Sequence, residues 1–538
     1  MSERVRVGVR RVGPAFLGMT LVLTLALLAS RASYIPTWDG RIYAECIVDA
    51  GARQLALPTL RCVDHISHAY MLYAGAIQML SPGSFPLMLL ANVILYLIAC
   101  AGFYRLAELA FPPQDHAMER SLLTAVFAAQ PAILASVVQP NIDMPMLPSF
   151  LWGTVFIIRR QWVPLIVVGL ALVATKESGV LLYATLVFAY AIAMVFPHPS
   201  SPRSPIRALL RLTPAAVPIV AFGAYIAYRT SLPHQTVIWS GGTTDEPILR
   251  QFLIPRVDRY FINYCVMMFV LSFAWITTAV VGVDLLVGVV RRVRKEPARA
   301  VVGGKRRIVR FLVVLWLITM IALTRFTTWG NTRYFLPVFA LTPFALYASL
   351  VRLRVAPILR RSTVAVVAIL MLLSTVRTAD PISRAVYGTW KLGDNSLLRM
   401  TRVTHECCDS GRDQLVYNLQ YTLLGDLTSD AVAAVADDSS AVFFPRRMHW
   451  EMLGSLDKAS RRRTLRRQNV LELRAYQPDT LATLQSPPGN AIYIGLPNGN
   501  PTASLGALRP WYEIGPAQRI QRGDYWLDAY RLTLRDGR

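Results

Sequence analysis

The stretch SFPLMLLANVILYLIACAGFY, at residues 84–104, contains no charged side chain. A helix of about 20 apolar residues is long enough to cross the ~30 Å hydrocarbon core of a bilayer. This stretch therefore predicts a transmembrane helix. Ten other segments of the chain have the same apolar character, although several of them are short. They cover residues 14–30, 120–138, 144–158, 163–175, 178–196, 212–230, 262–290, 309–324, 334–351 and 361–376.

The composition agrees with a membrane protein of about eleven helices. Hydrophobic residues make up 54% of the 538 residues, whereas charged residues make up only 16%. Such a balance excludes a soluble enzyme with a large core. We therefore predict an α-helical polytopic membrane protein. Its transmembrane domain is predicted to cover residues 1–376, with residues 31–83 as a large first outer loop.

Basic residues predict the orientation, because cytoplasmic loops retain Arg and Lys during membrane insertion. They concentrate at the N-terminus, after every second span, and in a dense run at residues 291–310. This pattern predicts a multi-pass protein of the plasma (inner) membrane with a cytoplasmic N-terminus. The net charge of +24 indicates topology and contact with anionic membrane lipids rather than nucleic-acid binding, because no nucleic-acid recognition motif accompanies it.

Residues 377–538 differ in composition and predict a soluble α/β domain, which the orientation places in the periplasm or outside the cell. The apolar runs are short here and are bounded by Pro, Gly and Asn, as strands of a globular domain are. The predicted strands lie at 414–417, 441–444, 491–495 and 525–532, and the predicted helices at 421–436 and 446–456. No GxGxxG, Walker or GxSxG motif occurs in this domain, so we predict no nucleotide or hydrolase site there.

Two cysteines, Cys46 and Cys62, fall in the predicted first outer loop. An oxidising compartment permits a disulfide between them, but two free thiols fit the sequence equally well. The sequence leaves both states open.

Side chains able to do chemistry occur together in the predicted outer loops. Two carboxylates, Asp39 and Asp143, lie at the lip of the bilayer, where a charge is costly unless it faces a polar cavity or a partner. The same loops supply three cations, two histidines and two phenol hydroxyls: Lys176, Arg325, Arg333, His65, His68, Tyr43 and Tyr334. In such a set a carboxylate can deprotonate a hydroxyl acceptor while cations stabilise a departing phosphate.

Each of these residues also has a purely structural interpretation. Asp39 and Asp143 could cap helix N-termini, where carboxylates are favoured. Lys176 and Arg333 could extend from helix ends to lipid headgroups. The two histidines, His65 and His68, could be ordinary loop residues.

Five short motifs carry a family resemblance. They are Asp39-Gly40-Arg41-Ile42-Tyr43, His65-Ile66-Ser67-His68, Asn141-Ile142-Asp143-Met144-Pro145, Gly169-Leu170-Ala171-Leu172-Val173-Ala174-Thr175-Lys176-Glu177 and Asn331-Thr332-Arg333-Tyr334-Phe335-Leu336-Pro337. In this order they resemble motifs of the GT-C superfamily of integral membrane glycosyltransferases, especially the branch with the protein O-mannosyltransferases and the lipid A aminoarabinose transferases. The resemblance covers about residues 14–376.

The resemblance implies an inverting transfer of a sugar from a polyprenyl-phosphate donor to a hydroxyl acceptor on the outer face of the membrane. The acceptor would be a glycan, a lipid or a protein. Asp39 would be the catalytic base. The matching positions imply the following substrate-binding residues: Asp143, Tyr43, His65, His68, Lys176, Glu177, Arg333 and Tyr334. No cofactor is required, although a divalent metal cation stays open because Gly40 stands where many relatives have a carboxylate.

Two other classes of protein fit the same features. A degenerate relative could keep the GT-C fold as a non-catalytic assembly subunit. A lipid or glycolipid transporter would also expose charges to a cavity, but paired halves or broken helices related by a repeat are expected for that class, and the sequence shows neither.

Overall fold

The computed structural model describes residues 3–32, 36, 39–56, 60, 62, 65–111, 117–195, 212–231, 259–270, 273–294, 306–326, 332–376, 380–382, 389–392, 395–398, 426–436, 440–444, 474–476, 487–495, 502–522 and 525–535. The chain divides into two compact units. The first consists of Met1–Ala32, Ile42–Gly388 and Leu398–Leu415. The second consists of Ser33–Arg41, Thr389–Leu397 and Val416–Arg538.

The first unit is helical. Its helices are α1 (Glu3–Ala29), α2 (Asp39–Ala52), α3 (His68–Gln78), α4 (Phe85–Ala110), α5 (Ala117–Ala128), α6 (Pro131–Val138), α7 (Met146–Arg159), α8 (Trp162–Val173), α9 (Ser178–Tyr190), α10 (Val217–Ser231), α11 (Arg259–Phe269), α12 (Ala274–Val293), α13 (Arg306–Phe326), α14 (Leu336–Arg352) and α15 (Pro357–Val376). The first three residues of α2, Asp39 to Arg41, belong to the second unit. A π turn at Ala191–Val195 extends α9, and 3-10 turns at Thr213–Ala216 and Thr332–Phe335 precede α10 and α14.

The polytopic membrane class predicted from the sequence is confirmed, but the number of spans is not. Within the described residues, six helices are long and apolar enough to cross a bilayer, or seven if α5 and α6 form one bent span. Four other apolar helices, α7 to α10, are shorter. The predicted span at 262–290 contains two helices, α11 and α12. Phe273, just before α12, has a φ of 62°, a left-handed conformation in which an α-helix of L-residues does not continue.

A break between α5 and α6 directs the chain toward the candidate site. The two helices meet at an angle of 51°. Pro131 has no N–H to continue the hydrogen-bond ladder, so a bend is expected here. The Ala128 carbonyl beside the break accepts a hydrogen bond from the Tyr96 hydroxyl on α4, at 2.8 Å. The next residues after α6 lead directly to Asp143, and every residue of α6 is buried.

The core of the first unit surrounds α14, which is almost wholly buried. By contrast, α12 exposes apolar side chains such as Leu285 and Leu286 along most of its length. An exposed apolar helix face is what lipid chains cover in a membrane protein. The bundle therefore has a protein-packed centre and lipid-facing outer helices.

The second unit contains a mixed sheet in the C-terminal part of the chain. Its strands are β3 (Ala441–Phe443), β4 (Arg474–Tyr476), β5 (Asn490–Ile494), β6 (Tyr512–Ile514), β7 (Gln518–Arg522) and β8 (Tyr525–Leu534), after a separate pair β1 (Thr389–Leu392) and β2 (Asn395–Leu398). The order is β4-β3-β5-β8-β6, and β7 also pairs with β8. Strands β4, β3 and β5 are parallel, whereas β8 runs antiparallel to its partners.

Three of the four predicted C-terminal strands are present, namely β3, β5 and β8. The predicted helix at 421–436 is described at 426–435, where Leu427, Ala431 and Val435 lie on one buried face. A helix α16 (Thr502–Leu508) follows β5. The predicted strand at 414–417 and helix at 446–456 lie outside the described residues. The boundaries of the two predicted domains stay predictions.

Candidate active site

The turn between α6 and α7 holds Asp143 in a fixed position. The side-chain oxygen of Asn141 accepts hydrogen bonds from the backbone N–H groups of Asp143 at 3.0 Å and Met144 at 2.8 Å. Its amide nitrogen donates to the carbonyl oxygens of Ser136 and Gln139 at 2.9 and 2.7 Å. Asn141 is almost completely buried, so these four contacts use its amide fully within the fold. Asn141 thus acts as the anchor of the Asp143 backbone.

Asp143 contacts the two cations that the sequence placed in separate outer loops. Lys176 Nζ donates to Asp143 Oδ1 at 2.6 Å, and Arg333 Nε lies 3.1 Å from Asp143 Oδ2. The side chains of Lys176, Asp143 and Arg333 are only 12%, 2% and 3% exposed. Two cations against one carboxylate leave a positive charge in a largely dry environment. We call Asp143, Lys176 and Arg333 the charged triad.

Three different turns build the charged triad. Asp143 precedes α7, Lys176 lies between α8 and α9, and Arg333 belongs to the 3-10 turn that precedes α14. Each turn ends one apolar helix and begins another, which allows a polar side chain to face inward without interrupting a span. The purely structural interpretation in which Lys176 and Arg333 extend to lipid headgroups does not fit, because both side chains point into the protein and contact Asp143.

Tyr334 lies against both cations. Lys176 Nζ is 4.3 Å from the centroid of the Tyr334 ring, and the Arg333 guanidinium carbon is 5.5 Å from it. A cation this close to an aromatic face is stabilised by the ring quadrupole. Burial lowers the pKa of Lys176, but the carboxylate of Asp143 outweighs burial, so the pKa lies above its ordinary value. Lys176 therefore stays protonated at neutral pH.

A second carboxylate, Glu177, contacts the first loop. Glu177 Oε2 lies 3.1 Å from His65 Nδ1, and Glu177 Oε1 accepts the backbone N–H of Ile66 at 2.8 Å. Burial raises the pKa of Glu177, but the contacts with His65 and Ile66 outweigh burial, so the pKa lies below its ordinary value. We call this the Glu177–His65 contact. It is next to the charged triad in sequence, because Glu177 follows Lys176.

A disulfide between Cys46 and Cys62 supports this contact. Its Cα atoms are 5.5 Å apart, and it ties α2 to the turn that carries His65. The Cys62 N–H donates to the Ser67 hydroxyl at 2.8 Å, and a backbone bridge joins Cys62 to His65. Of the two states that the sequence left open, the structure has the disulfide. The turn is therefore fixed by a covalent bond on one side and by Glu177 on the other.

His68 and Tyr43 have hydrogen-bonding and packing partners of their own. His68 Nδ1 contacts the Leu60 carbonyl at 3.0 Å, and Nε2 lies 2.8 Å from the hydroxyl of Tyr225 on α10. Tyr43 is buried in an apolar cluster that also contains Ile142, the residue before Asp143. The structure thus gives His68 two hydrogen-bonding partners and gives Tyr43 a set of packing partners.

The catalytic base predicted from the sequence, Asp39, is the first residue of α2. Its side chain lies outside the described residues, and its role stays a prediction. Sequence reasoning gave no role to Asn141 or Tyr225. An Asn two residues before an Asp is a signal for a side-chain-capped turn and could have identified Asn141. No local sequence pattern could have identified Tyr225, because its partner His68 is distant in sequence.

The donor set at the site is a poor match for a divalent metal. Among the described residues, no three His, Cys, Asp or Glu side chains come together as metal ligands. Both oxygens of Asp143 face cations, which repel a metal ion. Contacts around Asp143 therefore fit an anionic ligand better than a metal ion.

Comparison with known proteins finds a similarity in structure but none in sequence. No protein-family model matches the chain, and no curated protein sequence matches it. Two solved structures match it, namely crystal structures of ArnT from Cupriavidus metallidurans in the apo state and bound to undecaprenyl phosphate. The chain is similar to ArnT.

The similarity to ArnT extends over 96% of this chain and 97% of ArnT, with 13% identical residues and a TM-score of 0.47 for either structure. A likeness of this size does not establish an activity.

Proposed function

We propose that the protein is an inverting glycosyltransferase that moves a sugar from a polyprenyl-phosphate donor to a hydroxyl acceptor at the outer face of the membrane. The observation that supports this most is the charged triad. It carries an excess of positive charge, is largely buried, and lies at the helix ends, where the phosphate of a membrane-bound lipid can reach it. Cations fixed in a dry site stabilise a phosphate leaving group far more than solvated cations do.

In the proposed reaction, Lys176 and Arg333 bind the donor phosphate, and Tyr334 supports both cations. Asp143 keeps the two cations in place. Arg333 presents a planar group that can contact two phosphate oxygens, whereas Lys176 acts as a point charge. Fixing both groups before the donor arrives lowers the cost of reorganisation during the reaction.

The proposed chemical step is a single displacement. The acceptor oxygen attacks the anomeric carbon of the sugar and forms the new glycosidic bond. The bond from that carbon to the phosphate oxygen breaks, and the polyprenyl phosphate leaves with its electron pair toward Lys176 and Arg333. The acceptor proton passes to the carboxylate of Asp39. Attack from the face opposite to the leaving group inverts the anomeric centre.

Donor binding tests the phosphate site. Arg333→Lys keeps the charge but loses the planar guanidinium, so we expect the dissociation constant of a polyprenyl-phosphate sugar to rise at least ~10-fold. The matched control is Arg53→Lys, an identical exchange at a residue that is 67% exposed and pairs with Asp49 on the surface. Equal donor affinity in wild type, Arg333→Lys and Arg53→Lys would remove the proposed phosphate site.

A rate measurement tests Asp39. Asp39→Asn keeps the size of the side chain but removes the basic carboxylate, so sugar transfer should slow by ~10² to 10⁴ while donor binding persists. If Asp39 only capped α2, the change would cost about 1 kcal/mol of stability and leave the rate near that of wild type. Donor binding without any transfer in the wild-type protein would instead favour a transporter or a non-catalytic assembly subunit.

A further inference from the structure

A second charged cluster lies at the end of the first unit that is opposite to the charged triad. The bent pair α5 and α6 runs from Glu119 toward Asp143, so its two ends carry the two clusters. In the same way, α14 begins after Arg333 and carries Tyr347 about 20 Å further along its axis. The basic residues of the sequence predict that this end faces the cytoplasm.

Three helix ends contribute charges to this second cluster, namely the end of α4 and the starts of α5 and α15. Arg361 at the start of α15 pairs with Glu119 of α5, at 2.8 Å. Arg120 of α5 and Arg105 of α4 both pair with Glu108, at 3.3 and 2.7 Å. With Arg360, four arginines face two glutamates, which leaves an excess of two positive charges. Glu119 and Arg120 are buried, so part of this charge is held away from water.

Tyr347 and Arg360 each place a buried hydrogen-bond donor in this cluster. Tyr347 is only 2% exposed, and the guanidinium of Arg360 lies 5.6 Å from the centroid of its ring. Within the part of the chain that the structure describes, neither the Tyr347 hydroxyl nor Arg360 Nε has a hydrogen-bond partner. A buried donor without a partner costs free energy, so an acceptor from outside the fold is expected.

The surface beside these donors is apolar. Ile358 and Leu359, which directly precede Arg360, are 71% and 58% exposed. Further along α15, Val366, Ile369 and Leu373 are also exposed. Cationic donors beside an exposed apolar helix match the two parts of a phospholipid, whose phosphate is anionic and whose acyl chains are apolar. A free anion would make no use of the apolar surface.

We propose that the cluster of Arg360, Tyr347 and Arg361 is a binding site for the phosphate of an anionic phospholipid of the cytoplasmic leaflet. The phosphate oxygens accept hydrogen bonds from Arg360 Nε and the Tyr347 hydroxyl, and the acyl chains lie along Ile358 and Leu359. Basic pockets between transmembrane helices recognise headgroups by the same chemistry. This site shares no residue with the charged triad, so it does not depend on the proposed transferase activity.

Lipid titration of the purified full-length protein, followed by native mass spectrometry, tests the proposal. The probes are dioleoylphosphatidylglycerol, zwitterionic dioleoylphosphatidylcholine and inorganic phosphate. Two variants remove the donors: Arg360→Gln deletes the charge, and Tyr347→Phe deletes only the hydroxyl and keeps the packed ring. The matched control is Arg159→Gln, an exposed arginine at the end of α7 on the same side of the bundle.

We expect phosphatidylglycerol to bind wild type and the Arg159→Gln variant equally within twofold. Arg360→Gln should weaken binding about fivefold, and Tyr347→Phe should weaken it measurably in the same direction. Unchanged affinity in both variants would overturn the site. Equal binding of phosphatidylcholine would overturn its preference for anionic lipid, and full displacement of phosphatidylglycerol by inorganic phosphate would show a site for a free anion instead.

Discussion

Two neighbouring carboxylates in the candidate site are held in different ways. Asp143 faces Lys176 and Arg333, two cations that keep their charge throughout the physiological pH range. Glu177 faces the imidazole of His65 and the backbone N–H of Ile66. The backbone of Asp143 is held by a hydrogen bond to Asn141 in the same turn. By contrast, His65, the partner of Glu177, is held by the Cys46–Cys62 disulfide, which is distant from Glu177 in sequence.

This difference separates a permanent electrostatic centre from a contact that conditions can change. The charged triad depends only on groups with fixed charge and on the helices that carry them. The Glu177–His65 contact depends in addition on protonation and on the oxidised state of Cys46 and Cys62. Because Lys176 and Glu177 are consecutive, a disturbance at the contact can reach the triad through one peptide unit.

The largest effect is expected from Asp143→Asn. The change leaves two buried cations without their carboxylate, and breaking a buried ion pair in this way costs about 3–5 kcal/mol of stability. Misplaced phosphate-binding groups should also slow sugar transfer by ~10² or more. Thermal unfolding in detergent and the rate of transfer at a permissive temperature measure the two effects separately.

Asp49→Asn is the control for this prediction. Asp49 is also in an ion pair, with Arg53 at 2.8 Å, but its side chain is 47% exposed. An exposed pair contributes at most about 1 kcal/mol, so this variant should resemble wild type. If the charged triad were purely structural, the Asp143→Asn protein would be unstable, but the fraction that remains folded would transfer sugar at the normal rate.

A smaller effect is expected when the disulfide is removed by Cys46→Ser with Cys62→Ser. The bond closes a loop with a sequence separation of 16, which corresponds to about 3 kcal/mol from the entropy of the unfolded chain. Hydrogen exchange should rise at the Ile66 amide, because the turn that presents it to Glu177 loses its anchor. Cys265→Ser changes a partly exposed free cysteine and is the control. Equal midpoints of thermal unfolding in both proteins would contradict a stabilising bond.

The helical class could be predicted from the sequence because the length and apolarity of each segment are local properties. The number of spans could not, since crossing a bilayer depends on how helices bend and pair. The bend at Pro131 and the left-handed Phe273 show this, because each depends on a single residue inside an apolar run. In the C-terminal region, β3, β5 and β8 were predictable, whereas the short edge strands β4, β6 and β7 lack a clear pattern.

The candidate site was predictable as a set of residues but not as a set of contacts. Charges at the ends of apolar segments identified Asp143, Lys176 and Arg333 as members of one group. Their mutual ion pairs were not predicted, because the sequence does not show which side chain fills the space beside a cation. Similarly, Glu177 was placed in a motif, but its contact with His65 joins residues that are 112 positions apart.

The smallest effect is expected from Glu177→Gln, which tests the pH dependence of the Glu177–His65 contact. The pKa of Glu177 in the folded protein lies below its ordinary value of 4.5, which applies to the unfolded chain. Its contribution to stability is therefore fully present above pH 4.5 and is lost as the pH falls through the lowered folded value. Glu177→Gln keeps the size and a hydrogen bond to Ile66 but has no carboxylate to titrate.

The variant should accordingly be less stable than wild type at pH 7, by about 1 kcal/mol, and this difference should disappear in acid. Unfolding midpoints measured from pH 7 down to pH 3 give the test, with Glu45→Gln, at an exposed position on α2, as the control. A constant difference between wild type and Glu177→Gln over the whole range would show that Glu177 acts through its shape alone. The distinction between a permanent triad and a pH-sensitive contact would then be lost.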